Sequence, residues 1–371
     1  MSDDKSVAAF AAPPVCDLQP YVPGKPLDEL EREYGVTNAV KLASNENPLG
    51  PSARVLAAVT EAAAGLNRYP DGNGYYLKQK LASVHGVSQS AITLGNGSND
   101  VLVLLAEAFL TAGSSAVYSQ YAFVVYPLAV QATGAEAIVV PANPDSHEQP
   151  LGHDLDAMLA AIRDDTRLVF IANPNNPTGT WVEHAALYAF LRAVPADVVV
   201  VLDEAYCEYS GEGARTVSWL EEFPNLVITR TFSKIYGLAG LRVGYGLSSP
   251  AVADLLNRIR QPFNVNQLAL VAAKAALDDA EHLDAAMELN NSGMQQLQEG
   301  LATLPVKVLP SKGNFLLLDL QKPAADVNEK LMREGVIVRP VGNYGLPNHL
   351  RVSIGTAEEN AAFLAALKRC L

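Results

Sequence analysis

The sequence predicts an α/β protein: a large domain on a mainly parallel sheet flanked by helices, then a smaller α+β domain at the C-terminus. Three observations lead there. From about Lys41 to Gln261, short apolar runs alternate with helical stretches, the order expected when crossover helices join parallel strands. Several runs, Val198 to Leu202 above all, are aliphatic without polar alternation, as in a strand covered on both faces. At Arg260-Gln261-Pro262-Phe263 the pattern breaks, and one long helical stretch, about Asn266 to Leu304, bridges to a second unit. The expected division is an N-terminal arm (1–40) packing on the small domain and on a dimer partner, a large domain (41–262) and a small domain (263–371). A chain of 371 residues is long enough for both cores.

Along the chain, Ala53 to Ala64 reads as a helix. Ala91-Ile92-Thr93-Leu94 reads as a strand entering Gly95-Asn96-Gly97-Ser98-Asn99-Asp100 and the helical run Val101 to Leu110. Glycines followed by small polar residues at a helix start expose backbone N–H groups and the positive dipole end, a phosphate site. The spacing matches neither the dinucleotide fingerprint nor the P-loop, so the phosphate need not belong to a nucleotide. Ala116 to Tyr118 and Ile138 to Val140 are strands, and Leu155 to Ile162 is a helix. The apolar strand Leu168 to Ala172 ends on Asn173-Pro174-Asn175-Asn176-Pro177-Thr178-Gly179, whose prolines and glycine forbid regular structure and present Asn176 from a rigid turn. Alone, that segment is also a plain Asx-Pro turn. In the second unit Asn314 to Asp319, Val336 to Arg339 and Leu350 to Ile354 read as strands, with helices from about Ala324 and Ala357.

The chemistry concentrates after two of these strands. Leu226 to Thr229 runs into Thr231-Phe232-Ser233-Lys234-Ile235-Tyr236-Gly237-Leu238-Ala239-Gly240-Leu241-Arg242. A lysine amine condenses with an aldehyde, while Ser233 and Arg242 on either side suit a phosphate of the same molecule, a pattern that points to pyridoxal phosphate. Asp203 closes the run Asp197-Val198-Val199-Val200-Val201-Leu202, so the strand carries it into the interior, where a carboxylate needs a partner. A pyridine nitrogen is one such partner; the other reading is a helix N-cap. Tyr206, one turn on, is placed to donate to the cofactor's 3-oxygen.

In this order the motifs resemble the fold type I pyridoxal-phosphate aminotransferases, and within them the histidinol-phosphate aminotransferases, over nearly the whole chain. Lys41-Leu42-Ala43-Ser44-Asn45-Glu46-Asn47-Pro48-Leu49-Gly50 is similar to that branch's opening signature, with Asn45 expected at the substrate. The resemblance implies Tyr69, in Asn67-Arg68-Tyr69-Pro70-Asp71-Gly72, on the cofactor phosphate of a partner subunit, and hence a homodimer. It also implies Tyr121 stacked on the cofactor, the backbone at Ser98 and Asn99 in the phosphate cradle, and Asn176, Asp203, Tyr206, Ser233, Lys234 and Arg242 on the remaining cofactor contacts. Arg351, in His349-Leu350-Arg351-Val352-Ser353, and Arg339 are the expected anion-binding arginines, and Tyr21 the arm residue over the substrate ring. Cys207 departs from the aromatic residue expected there and concerns packing rather than chemistry. The implied activity is amino transfer between glutamate/2-oxoglutarate and the pair histidinol phosphate/imidazole acetol phosphate, in histidine biosynthesis. The alternatives are an aromatic-amino-acid aminotransferase, a pyridoxal-phosphate decarboxylase, and a transcription regulator, for whose DNA-binding module the leader before Tyr21 has no room.

Bulk properties agree. Three scattered cysteines, Cys16, Cys207 and Cys370, suit a reducing, cytoplasmic setting rather than a disulfide framework. Met1-Ser2-Asp3-Asp4 is acidic, and no apolar run approaches a signal core or a membrane span. A net charge of −13 disfavours nucleic acid and anionic membranes as partners. The six histidines show no metal-ligand spacing, and His147, His153 and His184 are expected at the surface, so no metal is expected.

Overall fold

Apolar runs that read as doubly covered strands form the middle of a seven-stranded sheet in the computed structural model, which describes residues 10–21, 24–211 and 213–371. In chain order the strands are β1 Val40–Lys41, β2 Ile92–Gly95, β3 Ser115–Ser119, β4 Glu136–Val140, β5 Thr166–Ala172, β6 Val199–Asp203, β7 Leu226–Thr231, β8 Gly244–Leu247, β9 Lys307–Val308, β10 Phe315–Asp319, β11 Val336–Ile337, β12 Arg339–Pro340 and β13 His349–Ser353. The large sheet has the order β2-β8-β7-β6-β5-β3-β4. All its neighbours are parallel except β8, which is antiparallel to both β2 and β7. Alternate residues of β6 serve opposite faces: Val200 and Leu202 pack with Val169, Ile171 and Ile228, while Val199 and Val201 pack with Leu168, Phe170 and Val227. Both faces are therefore core, and each fully buried aliphatic side chain contributes about 1.5–3 kcal/mol.

Parallel strands end on the same rim. Ala172 of β5 lies opposite Asp203 of β6, and Asp203 opposite Thr229 of β7, so the following loops emerge side by side. Asn173 N–H donates to the Asp203 carbonyl at 2.9 Å and Glu204 N–H to the Thr229 carbonyl at 2.9 Å, which extends the ladder into those loops. Such rims are where α/β sheets bind ligands.

In the C-terminal part of the chain, β12-β13-β10-β9 form a four-stranded antiparallel sheet with its own core of Leu316, Leu318, Val352, Phe363 and Leu367. β1 pairs with β11 in parallel, and Leu30 of helix Leu27–Tyr34 packs with Ala43 and Ile337. The short helix Pro13–Cys16 lies elsewhere, against helix Val125–Thr133, where Gln131 donates to the Pro14 carbonyl at 3.4 Å.

Four sequence expectations are corrected. The single helical stretch 266–304 is two helices, Gln267–Ala276 and Ala280–Leu301, because the Asp279 carboxylate accepts from His282 N–H and starts a new helix. Val336 to Arg339 is not one strand: β11 pairs with β1 and β12 with β13, in different sheets. β8 was not read as a strand, since Gly244 and Gly246 dilute its apolar pattern. His153 is buried, not on the surface; its Nε2 lies 2.9 Å from the Ala172 carbonyl, and burial lowers its pKa to about 4.

Candidate active site

A cavity of about 580 Å³ opens over the ends of β5, β6 and β7 and the start of helix Ser98–Phe109. Its wall brings together Tyr21, Ser98, Asn99, Asn176, Asp203, Tyr206, Ser233, Lys234 and Arg242, residues spread over more than two hundred positions of sequence. Most arrive as the first residues after a strand, which is why their side chains meet.

Lys234 follows β7 by three residues, and its Nζ donates to the Ser44 carbonyl at 3.1 Å. The residue is half-buried because it opens on the cavity, with its ammonium below the mouth. Burial first, and Arg351 next, bring the lysine from 10.5 down to about 7, although Glu46 and Asp203 oppose them. A lysine so placed is a nucleophile and proton carrier at neutral pH. Tyr206 flanks it, with the ammonium 5.5 Å from the ring centroid. The Tyr206 phenol oxygen accepts from Asn45 Nδ2 at 2.9 Å, which leaves its proton free for another acceptor; burial raises the phenol to about 12.

Asp203 is buried on the cavity floor. Tyr126 Oη donates to its Oδ2 at 2.9 Å and Thr229 Oγ1 to its Oδ1 at 3.1 Å, so each oxygen keeps lone-pair capacity toward the cavity. Burial pushes this carboxyl up to about 6, against the pull of both donors. Next door, Glu204 and Arg230 form a buried ion pair at 2.6 Å, and Thr216 donates to the same carboxylate at 2.6 Å.

An anion cradle lies at one end. Gly97, the N-cap of helix Ser98–Phe109, has φ +90° and supplies no side-chain cap, so the first-turn N–H groups remain donors. A Cβ on Gly97 would stand 2.7 Å from an Arg242 guanidinium nitrogen, and one on Gly244 2.2 Å from Ser98 N, so only glycine allows this approach. Arg242 Nη1 reaches Ser233 Oγ at 3.4 Å. Guanidinium, hydroxyl and helix N–H groups together are donors matched to a phosphate, and the buried lysine and carboxylate beyond them suit an aldehyde and a pyridine nitrogen. These residues fit pyridoxal phosphate.

The C-terminal sheet reaches this site through Arg351, which bonds to the wall residue Asn176. Arg351 is buried; Nη2 donates to the Ala43 carbonyl at 2.6 Å and Nη1 to Asn176 Oδ1, and Nε is a buried donor with no partner among the described residues. Arg339 lies directly opposite Arg351 across β12 and β13, its guanidinium 5.4 Å from the ring centroid of Tyr21. Asn45 has φ +54° and exchanges hydrogen bonds with Ser353, so β13 and the segment after β1 are tied together.

Five expected site residues lie outside the cavity wall: Asn45, Arg339 and Arg351, just described, and Tyr121 and Tyr69. Tyr121 packs instead against the cluster of Leu309, Leu317, Val341 and Leu346, and Phe123, two residues on, lines the cavity in that segment. Tyr69 is 83% exposed and stacks on Phe263 at 4.8 Å, away from the cavity of its own chain. Sequence reading missed Phe123 and Tyr126. The available signal was Tyr126 itself, a phenol within the apolar run Val124-Val125-Tyr126-Pro127-Leu128, where burial demands an acceptor.

Comparison with known proteins agrees with this geometry. The sequence matches the family Aminotransferase class I and II over residues 37–367. It is 59% identical over 368 residues to histidinol-phosphate aminotransferase 2 of Pseudomonas fluorescens strain Pf0-1, covering 98% of each chain. Against histidinol-phosphate aminotransferase 2 of Methylococcus capsulatus it is 56% identical, covering 99% of each. The crystal structure of the Sinorhizobium meliloti histidinol-phosphate aminotransferase in complex with pyridoxal-5'-phosphate superposes with a TM-score of 0.89 at 32% identity, covering 97% of both chains. The chain belongs to the class I and II aminotransferases, enzymes dependent on pyridoxal phosphate, and within them to the histidinol-phosphate aminotransferases. Among the described residues no helix is long and apolar enough to cross a membrane, and no cluster of three metal-ligating side chains occurs.

Proposed function

We propose that the enzyme carries an amino group between glutamate and the pair imidazole acetol phosphate/histidinol phosphate, as a cytoplasmic homodimer. The pairing of Arg339 with Arg351 across neighbouring strands carries the substrate reading: two guanidinium groups on one sheet form a fork of donors that a phosphate or carboxylate accepts.

When bound, pyridoxal phosphate supplies an aldehyde that condenses with amines and a ring that delocalises the charge left at the substrate Cα. Ser233, Arg242 and the N–H groups at Ser98 and Asn99 hold the phosphate. Lys234 Nζ, neutral for much of the time at pH 7, takes the proton from the substrate Cα and delivers it to the cofactor's C4′ carbon. Asp203 keeps the proton on the ring nitrogen. Tyr206 donates its free phenol proton to the ring oxygen, joined by Asn176 Nδ2, because the Asn176 carbonyl is already engaged by Arg351. Phe123 covers the ring face, in the part expected of Tyr121. Tyr21 closes over the substrate ring beside Arg339, and Asn45 holds Tyr206. The exposure of Tyr69 supports its service in a partner's site.

Half-reactions with histidinol phosphate, glutamate and phenylalanine, presented separately and followed by cofactor absorbance, test the substrate. The first two are expected to convert the cofactor fastest. Faster conversion by phenylalanine would move the reading to an aromatic aminotransferase, and release of carbon dioxide to a decarboxylase.

A further inference from the structure

We infer that Tyr126, which belongs to none of the motifs that carry the cofactor, is a positioning residue for the reaction: its phenol anchors the Asp203 carboxylate, and its ring braces the aromatic wall of the cavity. Tyr126 is fully buried near the start of helix Val125–Thr133. One face stacks on Phe170 of β5, with centroids 4.7 Å apart and planes at 13°. Phe123, which lines the cavity, meets it edge-on at 5.9 Å and 86°. Its hydroxyl donates to Asp203 Oδ2 at 2.9 Å. One side chain thus fixes both the group beneath the ring nitrogen and a ring at the cavity wall, and β5 holds it in place.

The chemistry of the donor matters. A lysine or arginine at this position would pair with Asp203 and compete with the ring nitrogen for its charge. A neutral phenol stabilises the carboxylate and leaves its full charge facing the cavity. Burial and the neighbouring carboxylate of Asp203 keep the Tyr126 hydroxyl far above its ordinary range, so it stays a donor. Thr229 on β7 gives Asp203 its second neutral donor. The other titratable groups around the pair are Glu204 beside Asp203 on the chain, Lys234 and Tyr206 across the cavity, and Tyr344. Of these only Lys234 can be a cation, and it is the group the reaction uses.

The inference rests on Asp203 facing the ring nitrogen, and its test separates the two. The bound cofactor's absorbance changes with pH, reporting the basicity of the nitrogen that Lys234 contributes. That basicity rises when the ring nitrogen loses its proton. In the holoenzyme, Tyr126→Phe is expected to move the absorbance midpoint up by about half to one pH unit, the effect of one lost hydrogen bond to a carboxylate. The kinetic isotope effect with Cα-deuterated glutamate is expected to rise with it. Thr229→Val, a smaller change that keeps the variant test available if Tyr126→Phe does not fold, is expected to move the midpoint in the same sense. Tyr118→Phe removes another buried phenol, 6.4 Å from the Tyr126 ring, and is expected to leave it in place. Asp203→Asn sets the scale. If Asp203→Asn moves the midpoint while Tyr126→Phe and Thr229→Val behave like Tyr118→Phe, the inference is overturned. A midpoint unmoved even by Asp203→Asn overturns the Asp203 assignment, and the inference with it.

Discussion

The floor and the rim of the cavity are built differently. On the floor, Asp203 and Tyr206 are almost fully enclosed, and their hydrogen-bond partners Tyr126, Thr229 and Asn45 come from the same chain. At the rim, Arg242 is exposed and Tyr21 is 54% exposed, and away from this cavity Tyr69 is 83% exposed. Buried polar groups must find their partners on folding. Exposed ones are satisfied by water and can await a ligand or a second subunit. The floor is therefore preorganised for proton transfer, whereas the rim gains its geometry from what binds there.

The largest expected effect tests the floor. Lys234→Met removes the amine and is expected to lower turnover by at least about 10⁴-fold in single-turnover assays, since nucleophile and proton carrier are lost together. The same change is expected to stabilise the cofactor-free protein. The folded-state lysine is depressed from 10.5 to about 7, so its contribution to stability is lost as pH falls through that window and stays lost below it. Thermal unfolding of variant against parent is expected to show a difference that grows from about pH 10 down to pH 7 and then levels, worth at most about 5 kcal/mol. A difference that did not vary with pH would remove the buried ammonium from the account.

Next in size is Asp203→Ala, expected to slow Cα proton transfer about 10²–10³-fold while changing phosphate anchoring far less, because its charge acts on the ring nitrogen. Equal losses in proton transfer and cofactor affinity would make the carboxylate purely structural. On the C-terminal sheet, Arg351→Ala is expected to damage both half-reactions by about 10²-fold, and Arg339→Ala to damage the histidinol phosphate reaction several-fold more than the glutamate reaction. Equal losses at Arg339 would end its role in telling a phosphate from a carboxylate. The smallest effect belongs to Tyr69→Phe. Mixed dimers with Lys234→Ala subunits are expected to recover activity above either parent dimer, through one site bearing both lesions and one bearing neither; verified heterodimers without recovery would assign Tyr69 no role in trans.

The floor was the more legible region. Val198 to Leu202 has no polar interruption, so a central strand ending on Asp203 follows from burial alone, and the glycines before Ser98 announce a helix start open to an anion. Phe123 and Tyr121 show the limit: two aromatic residues two positions apart lie in a loop without periodicity, and only packing against the cluster of Leu309 and Leu317 turned Tyr121 away from the cavity. The chain beyond β8 was harder for a related reason. Val336 to Arg339 has a strand's composition, but its division between two sheets depends on β1 and β13, which are remote in sequence.

By itself the sequence determined six of the seven strands of the large sheet and the order of the cofactor motifs, and it singled out Lys234, because these depend on local composition and on residue chemistry. Tertiary structure alone decided which donor meets which acceptor: Tyr126 with Asp203, Asn45 with Tyr206, Arg339 opposite Arg351. Hydrogen bonds and cross-strand pairs form between atoms a few ångströms apart, and nothing local in a chain states which distant residues will stand that close.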